Sequence, residues 1–301
     1  MTVEEILKDV RSDRVKKVIV DTDTYNEMDD QYAVAYAIAS EKLEVLAVNA
    51  APFHNDRSAG FEDGMEKSYD EILRVLDRIG MTGSIPVFKG SRSRISDNPG
   101  FAPSASPAAD NIIRTAHALD EPLYILATGA ITNVVSALLT DPSITDNICV
   151  IWLGGHCLDY QHLREFNLMQ DYAAGQLLLN LNVPLILLPA CDHGTKALEV
   201  DLKDLQRIKG NSPAAVFFRE TLPKEFNADM YKENWKRIIW DIAAPAVLSV
   251  PFAFDFSIIP APVFGDDCKY AFDRTRRKII YMEKLNRETV VNDAFDRICC
   301  L

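Results

Sequence analysis

Residues 18–37 read VIVDTDTYNEMDDQYAVAYA. An apolar, strand-like run closes on acid, and an apolar, helix-like run follows at once. Between them Asp21, Asp23, Glu27, Asp29 and Asp30 fall within ten residues, with no Lys or Arg among them. Carboxylates this close repel one another and disfavour a compact state unless something positive lies between them. Two acids opening a helix need no partner, because the helix dipole favours negative charge there. That accounts for Asp29 and Asp30. It leaves Asp21 and Asp23, at the end of a buried strand, without a reason. Converging carboxylate oxygens suit a hard cation, Ca2+ or Mg2+, and the lack of His and Cys in the stretch speaks against zinc.

Outward from this stretch, KKVIVD (16–21) predicts a buried strand and residues 29–40 a helix. LEVLAVNA (43–50) is a second strand, and the amphipathic segment 61–80 stops as a helix at Gly80. PLYILAT (122–128) is a third strand, with a helix from about Thr132. NICVIWLGG (147–155), VPLILLP (183–189) and DFSIIPA (255–261) continue the series. Strands so uniformly apolar suit a parallel sheet covered on both faces. The expected fold is α/β, with a mostly parallel, open, Rossmann-like central sheet and helices on both faces. Residues 51–60 and 81–108 read as loops, the second rich in Gly, Ser and Pro. No repeat or low-complexity linker divides the chain, so one domain over 1–301 is expected. Asp21 and Asp23 then end the first strand, Asn49 the second, Thr128 the third, and Gly154 and Gly155 the fourth. Cys191 and Asp192 follow the fifth. Ligands of open α/β sheets bind outside the carboxyl ends of the strands, so these residues share one edge.

The chain has 301 residues and a formal net charge of −12. No basic surplus exists to neutralise phosphates, which argues against binding to nucleic acid or anionic membranes. The charged start, MTVEEILKDVRSDRVKK, has no apolar signal core, and no apolar run is long enough to span a bilayer. A cytoplasmic protein is expected. The six cysteines form no C-x-x-C, so neither a zinc ribbon nor a redox pair is indicated. Cys149, in an apolar run, reads as a reduced core residue.

Two metal motifs compete for the acidic stretch. An EF-hand is excluded, because Tyr25 and Asn26 replace the expected acid and Gly. A phosphatase of the haloacid dehalogenase type also opens with a strand and Asp-x-Asp. In that reading Thr128 imitates its second motif and GDD (265–267) its later metal-binding acid. Tyr25 departs from that pattern, which also leaves further segments unexplained. These are ATGAITNVVSAL (127–138), LGG (153–155), EFNLMQDYAA (165–174) and WDIAAPAVL (240–248).

Together with Asp21-x-Asp23 and Asp29-Asp30, these segments resemble, in order and over nearly the whole chain, the calcium-dependent nucleoside hydrolases of the inosine–uridine-preferring type. The resemblance implies hydrolysis of the N-glycosidic bond of a ribonucleoside to ribose and free base. It implies Ca2+ held by Asp23, Asp30, the Thr128 carbonyl and Asp241, with Asp21 supporting from behind and the ribose 2′- and 3′-hydroxyls completing coordination. Asp23 is then the general base on a cation-activated water. Asp29, Glu165 and Asn167 hold the sugar, and Asn49, His54 or Asn55 supplies the contact after the second strand. The family precedent is a homo-oligomer, dimer or tetramer. A catalytically idle riboside-binding protein of the same fold is the other alternative.

The sequence departs from the family in three places. The acidic loop is two residues longer than Asp-x-Asp-x-Gly-x-Asp-Asp and has lost its Gly, so Asn26 or Glu27 stands as an alternative contributor. The segment NAAPFHN (49–55) offers three candidates where the family has one Asn. Trp240 stands where many members have the His that protonates a purine, and stacking on a base is the role it can take instead. The leaving-group acid stays open among His54, His162, Tyr25, Tyr231 and Glu27, with His156 and His193 undecided and His117 structural. Residues 226–239 read as a lid or a plain surface helix.

Overall fold

Alternation along the strands decides the architecture. In β1 (Lys16–Thr22), Val18 and Val20 join one buried cluster while Ile19 joins another. In β4 (Leu123–Ala127), Tyr124 and Leu126 fall on the first side and Leu123, Ile125 and Ala127 on the second. β5 (Ile148–His156) repeats the division. With side chains alternating between faces, a strand apolar at every position must be covered twice. Each buried Val, Ile or Leu contributes about 1.5–3 kcal/mol of transfer free energy.

The computed structural model describes residues 1–226 and 234–301. Its central sheet has eight strands in the order β3-β2-β1-β4-β5-β6-β12-β9. The remaining members are β2 (Leu43–Ala50), β3 (Val87–Lys89), β6 (Leu185–Ala190), β9 (Phe254–Pro260) and β12 (Lys278–Leu285). Two small antiparallel pairs lie outside it, β7 (Glu199–Asp201) with β8 (Lys236–Ile238) and β10 (Val263–Phe264) with β11 (Tyr270–Ala271). One face is covered by α1 (Val3–Val10), α2 (Asp29–Ala39), α3 (Phe61–Arg78) and later helices. The other is covered by α4 (Pro107–Ala118), α5 (Thr132–Thr140) and α7 (Tyr172–Asn180), with the short α6 (Phe166–Gln170) before it. The later helices are α8 (Leu202–Leu205), α9 (Pro213–Val216), α10 (Leu222–Phe226), α11 (Ala243–Ser249) and α12 (Arg287–Ile298).

Every pairing in the main sheet is parallel except β12 with β9. The segment expected at 255–261 is thus a strand, but it is the antiparallel edge strand. β12 separates it from β6, and no strand was expected there. β3 likewise lies inside the stretch read as a loop, and Tyr231 lies outside the described residues.

The chain runs outward from β1 through β2 to β3, then returns to β4 on the other side of β1 and runs outward again through β5 and β6. The order therefore reverses between β1 and β4. Connections leave these two strands in opposite directions, which opens a crevice at their carboxyl ends. Asp21 to Asp23 lie at the end of β1 and Thr128 at the end of β4.

Candidate active site

The backbone joins the two strands at this point: the Thr128 amide donates to the Asp21 carbonyl at 2.9 Å. Strand alternation sends the next two side chains to opposite faces. Asp21 follows Ile19 onto the α5 face, where Asn133 Nδ2 donates to its Oδ2 at 3.0 Å. The same nitrogen donates to the Ala50 carbonyl (3.1 Å), tying β1 to β2. Thr22 follows Val20 onto the α2 face, and its hydroxyl donates to Asp30 Oδ1. The Thr128 hydroxyl donates to the same oxygen at 3.2 Å. Asp30 is thus gripped by a threonine from each strand of the switch point.

Asp29 and Asp30 open α2, as expected, and both are buried. Asp241 arrives from the far end of the sequence, in a single helical turn ahead of α11. Carboxylate oxygens of Asp29, Asp30 and Asp241 lie within 4.8 Å of one another. Asp23 is 1% exposed, and neither of its oxygens receives a hydrogen bond. Among the described residues no Lys or Arg forms an ion pair with any of these acids. Arg237, whose charge acts on Asp29, pairs with Glu27 at 3.6 Å.

Burial pushes Asp23, Asp29 and Asp241 well above the usual carboxylate range, and the charges of neighbouring acids push them further. Burial also raises Asp30, to about 6, against the hydrogen bonds from Thr22 and Thr128 that hold it down. Asp21 rises to about 7, again through burial, with Asn133 opposing. Five buried carboxylates with neutral donors alone and no positive partner among the described residues are a high-energy arrangement. The donor set is all oxygen, closely convergent, and includes an orphaned carboxylate in Asp23. That chemistry fits a hard divalent cation.

Asp23, Asp29 and Asp241 line a cleft of about 290 Å3, and Asp30 lies behind them without lining it. Thr128, Glu165, Asn167, Trp240 and Asn55 line it too. Asn167 Nδ2 donates to the carbonyls of Thr128 (2.9 Å) and Leu153 (3.0 Å), so its Oδ1 is the group left for a ligand. Glu165 is occupied differently from the sequence reading. Its carboxylate caps α6, accepting from the amides of Gly155, Asn167 and Leu168 at 2.8–2.9 Å. Burial raises it to about 6 while those amides hold it down. Trp240 is half-buried, and its main-chain amide donates to Asp29 Oδ2 at 3.0 Å.

Several expected contributors are not brought to the cleft. Asn49 is fully buried beside β1 and does not line it. His54 is exposed, its Nδ1 3.2 Å from the Ser58 hydroxyl and its ring edge-on to Phe61. Of NAAPFHN only Asn55 lines the cleft, its Nδ2 donating to Asn26 Oδ1 at 2.6 Å. Tyr25 packs against Phe226 and under Arg57. Glu27 and His156 do line the cleft. The Asn133 brace and the lining residues Leu153, Arg164, Phe166 and Ala190 were not singled out from sequence. Asn133 closes the TGAITN motif, but its reach back to Asp21 is a tertiary contact. Asp266 and Asp267, the acids of the phosphatase reading, lie between β10 and β11, with Asp266 taking a hydrogen bond from Gln176 (3.1 Å).

A buried acid cluster at the switch point of a mostly parallel sheet, opening on a cleft of sugar size, marks an α/β hydrolase of N-ribosyl bonds. The chain belongs to the inosine-uridine preferring nucleoside hydrolase family, whose model matches residues 18–291. It is similar to the pyrimidine-specific ribonucleoside hydrolase RihA of Escherichia coli O127:H6 (strain E2348/69 / EPEC), 27% identical over 232 residues, 69% of this chain and 70% of that one. The protein of the same name from Klebsiella pneumoniae (strain 342) is 29% identical over 231 residues with the same coverage. Two solved structures share the fold. An inosine-guanosine nucleoside hydrolase superposes with a TM-score of 0.73 at 17% identity, over 94% of this chain and 98% of its own. A purine-preferring ribonucleoside hydrolase from Gardnerella vaginalis gives 0.72 at 20%, over 95% and 98%. The activity class is that of a ribonucleoside hydrolase, and neither the phosphatase nor the idle binding protein is favoured.

Proposed function

We propose that the cleft hydrolyses ribonucleosides with Ca2+ held by Asp23, Asp30, Asp241 and the Thr128 carbonyl, and with Asp23 as general base. The observation that carries this is Asp23 itself, a buried carboxylate with two free oxygens at the edge of the acid cluster. A hard divalent cation supplies the positive charge the cluster lacks and the Lewis acidity that makes a water easier to deprotonate.

The chain's own residues do the rest. Asp23 takes the proton of the attacking water. Asp29 offers Oδ1 and Asn167 offers Oδ1 as acceptors for sugar hydroxyls, which fixes the anomeric carbon beside that water. As the C1′–N bond stretches, positive charge grows on the ribose, and the carboxylates of the cleft stabilise it. Glu165 shapes the cleft wall by capping α6, so its support of the sugar runs through Asn167. Trp240, at the rim beside Asp29, is positioned to pack against the base.

The names of the bacterial relatives make uridine and cytidine the first substrates to assay, with inosine and guanosine beside them. Release of ribose and free base from any of the four, abolished by a chelator and restored by Ca2+, supports the proposal. Hydrolysis that persists unchanged after exhaustive chelation removes the cation from it.

A further inference from the structure

The cleft is not acidic throughout. Among its described lining residues Arg164 is the one Lys or Arg. The Arg164 main-chain amide donates to His162 Nδ1 at 3.3 Å, but its guanidinium has no hydrogen bond, ion pair or ring contact with any described residue. Arg164 is exposed, and it is the positive side chain that the described lining sets against the carboxylates.

His156 lines the same cleft. Its Nδ1 lies 3.0 Å from the Ala190 carbonyl. A carbonyl only accepts, so Nδ1 carries a proton, and Nε2 is free to donate to an anion when the ring carries its second proton. The ring is held by stacking on Tyr160 (4.5 Å between centroids, 28° between planes). His156 ends β5, Ala190 ends β6, and Arg164 lies between β5 and α6. The acids come instead from the loop after β1 and from the turn before α11. Three strand spacings separate β1 from β6 in the sheet order, about 14 Å. Arg164 and His156 therefore stand apart from the Asp cluster, beside Glu165, whose carboxylate is taken up by the amides of Gly155, Asn167 and Leu168.

We propose that Arg164, with His156, binds a phosphate ester on the sugar's primary hydroxyl, so that ribonucleoside 5′-monophosphates are substrates of this cleft. This rests on the nucleoside-hydrolase reading above. The planar guanidinium fork matches phosphate oxygens two at a time, and a ribose anchored by its 2′- and 3′-hydroxyls directs its C4′ substituent away from the acids. The chemistry at C1′ is unchanged. Water forms the C1′–O bond, the C1′–N bond breaks, and the water's proton ends on the departing base, giving ribose 5-phosphate and free base.

The test compares kcat/KM for uridine and uridine 5′-monophosphate, and for inosine and inosine 5′-monophosphate, in the full chain with Ca2+. Monophosphate cleavage is expected. The monophosphate-to-nucleoside ratio should fall about tenfold or more in Arg164→Gln and recover in part in Arg164→Lys. Calorimetry gives a second readout: ribose 5-phosphate should bind more tightly than ribose, with the difference lost in Arg164→Gln. Cleavage of nucleosides without turnover of monophosphates overturns this proposal and leaves the hydrolase reading standing. Release of base from neither overturns both.

Discussion

The side-chain amide of Asn167 donates a 2.9 Å hydrogen bond to the main-chain carbonyl of Thr128. With its second bond to the Leu153 carbonyl, Asn167 uses both amide hydrogens on backbone oxygens and clamps the ends of β4 and β5 together. Asn167→Asp replaces those donors with acceptors that face two carbonyls. Asn167→Ala removes the clamp and leaves the carbonyls unpaired, which costs about 1–3 kcal/mol. Asn167→Asp should therefore be the worse enzyme of the two, although it is the closer in shape. Steady-state kinetics on one nucleoside decide it, and equal activity in wild type and Asn167→Asp shows that the clamp is idle.

Asp23→Asn should separate activity from stability. The amide keeps the shape but cannot accept the water's proton, and loss of a positioned general base costs typically 10^2–10^4 in rate. The folded chain meanwhile loses a carboxylate that burial and its acidic neighbours hold far above its ordinary range. Each unit of that elevation costs about 1.4 kcal/mol at neutral pH, so the metal-free variant should melt higher than metal-free wild type. A variant that melts lower in chelator contradicts the electrostatic account of the cluster, and one that turns over normally contradicts the assignment of the base.

Much of this was legible from residues 18–37, because a strand, an acid-rich turn and a helix are local events. β1 and α2 lie within a residue of their expected bounds, and the strand ends marked the right edge of the sheet. What escaped was set by distance along the chain. KIIYMEKL (278–285) has charges at both ends, and only the slot between β6 and β9 makes a central strand of it. The register after β2 could not be counted from sequence: the loop turns His54 out to solvent while Asn55 reaches Asn26. Glu165 lines the cleft, but nothing local reveals the three amides its carboxylate accepts from.

Gly129 tests how tightly Asp23 must be held. A Cβ there would lie 3.0 Å from Asp23 Cγ and 3.1 Å from the Ala51 side chain. Those contacts are tight enough that Asp23 must shift by a few tenths of an ångström. Since a 1 Å misplacement in a preorganised site costs about a hundredfold, Gly129→Ala should lower kcat by roughly tenfold while KM changes little. A rise in KM at constant kcat points instead to damage in sugar binding.

Asp241 reaches the acid cluster from the far end of the chain, and as a proposed ligand its loss should act on the cation before the chemistry. Loss of a ligand's supporting partner costs about 10–100-fold in metal affinity, and removal of a carboxylate ligand should exceed that. Calcium titration of Asp241→Ala by calorimetry measures it directly. Wild-type affinity in that variant takes Asp241 out of the site.

Without metal, the acid cluster should make the fold prefer acid. Asp21 is raised from 3.8 to about 7 and Asp30 to about 6, both chiefly by burial, and Glu165 from 4.5 to about 6 for the same reason. For a carboxyl raised in the folded state, the native protein binds more protons than the unfolded chain between the two values. Its contribution to stability is complete below the unfolded value and is lost as pH rises through the folded one. The window therefore runs from about pH 4 to about pH 7. Melting temperature in chelator should climb as pH falls from 7.5 to 5. Calcium binds the ionised cluster, so saturating calcium should raise stability most at the alkaline end and flatten or reverse that slope. A metal-free protein whose melting temperature falls steadily between pH 7.5 and 5 shows that the carboxylates are ionised and satisfied without a cation, and the need for one disappears.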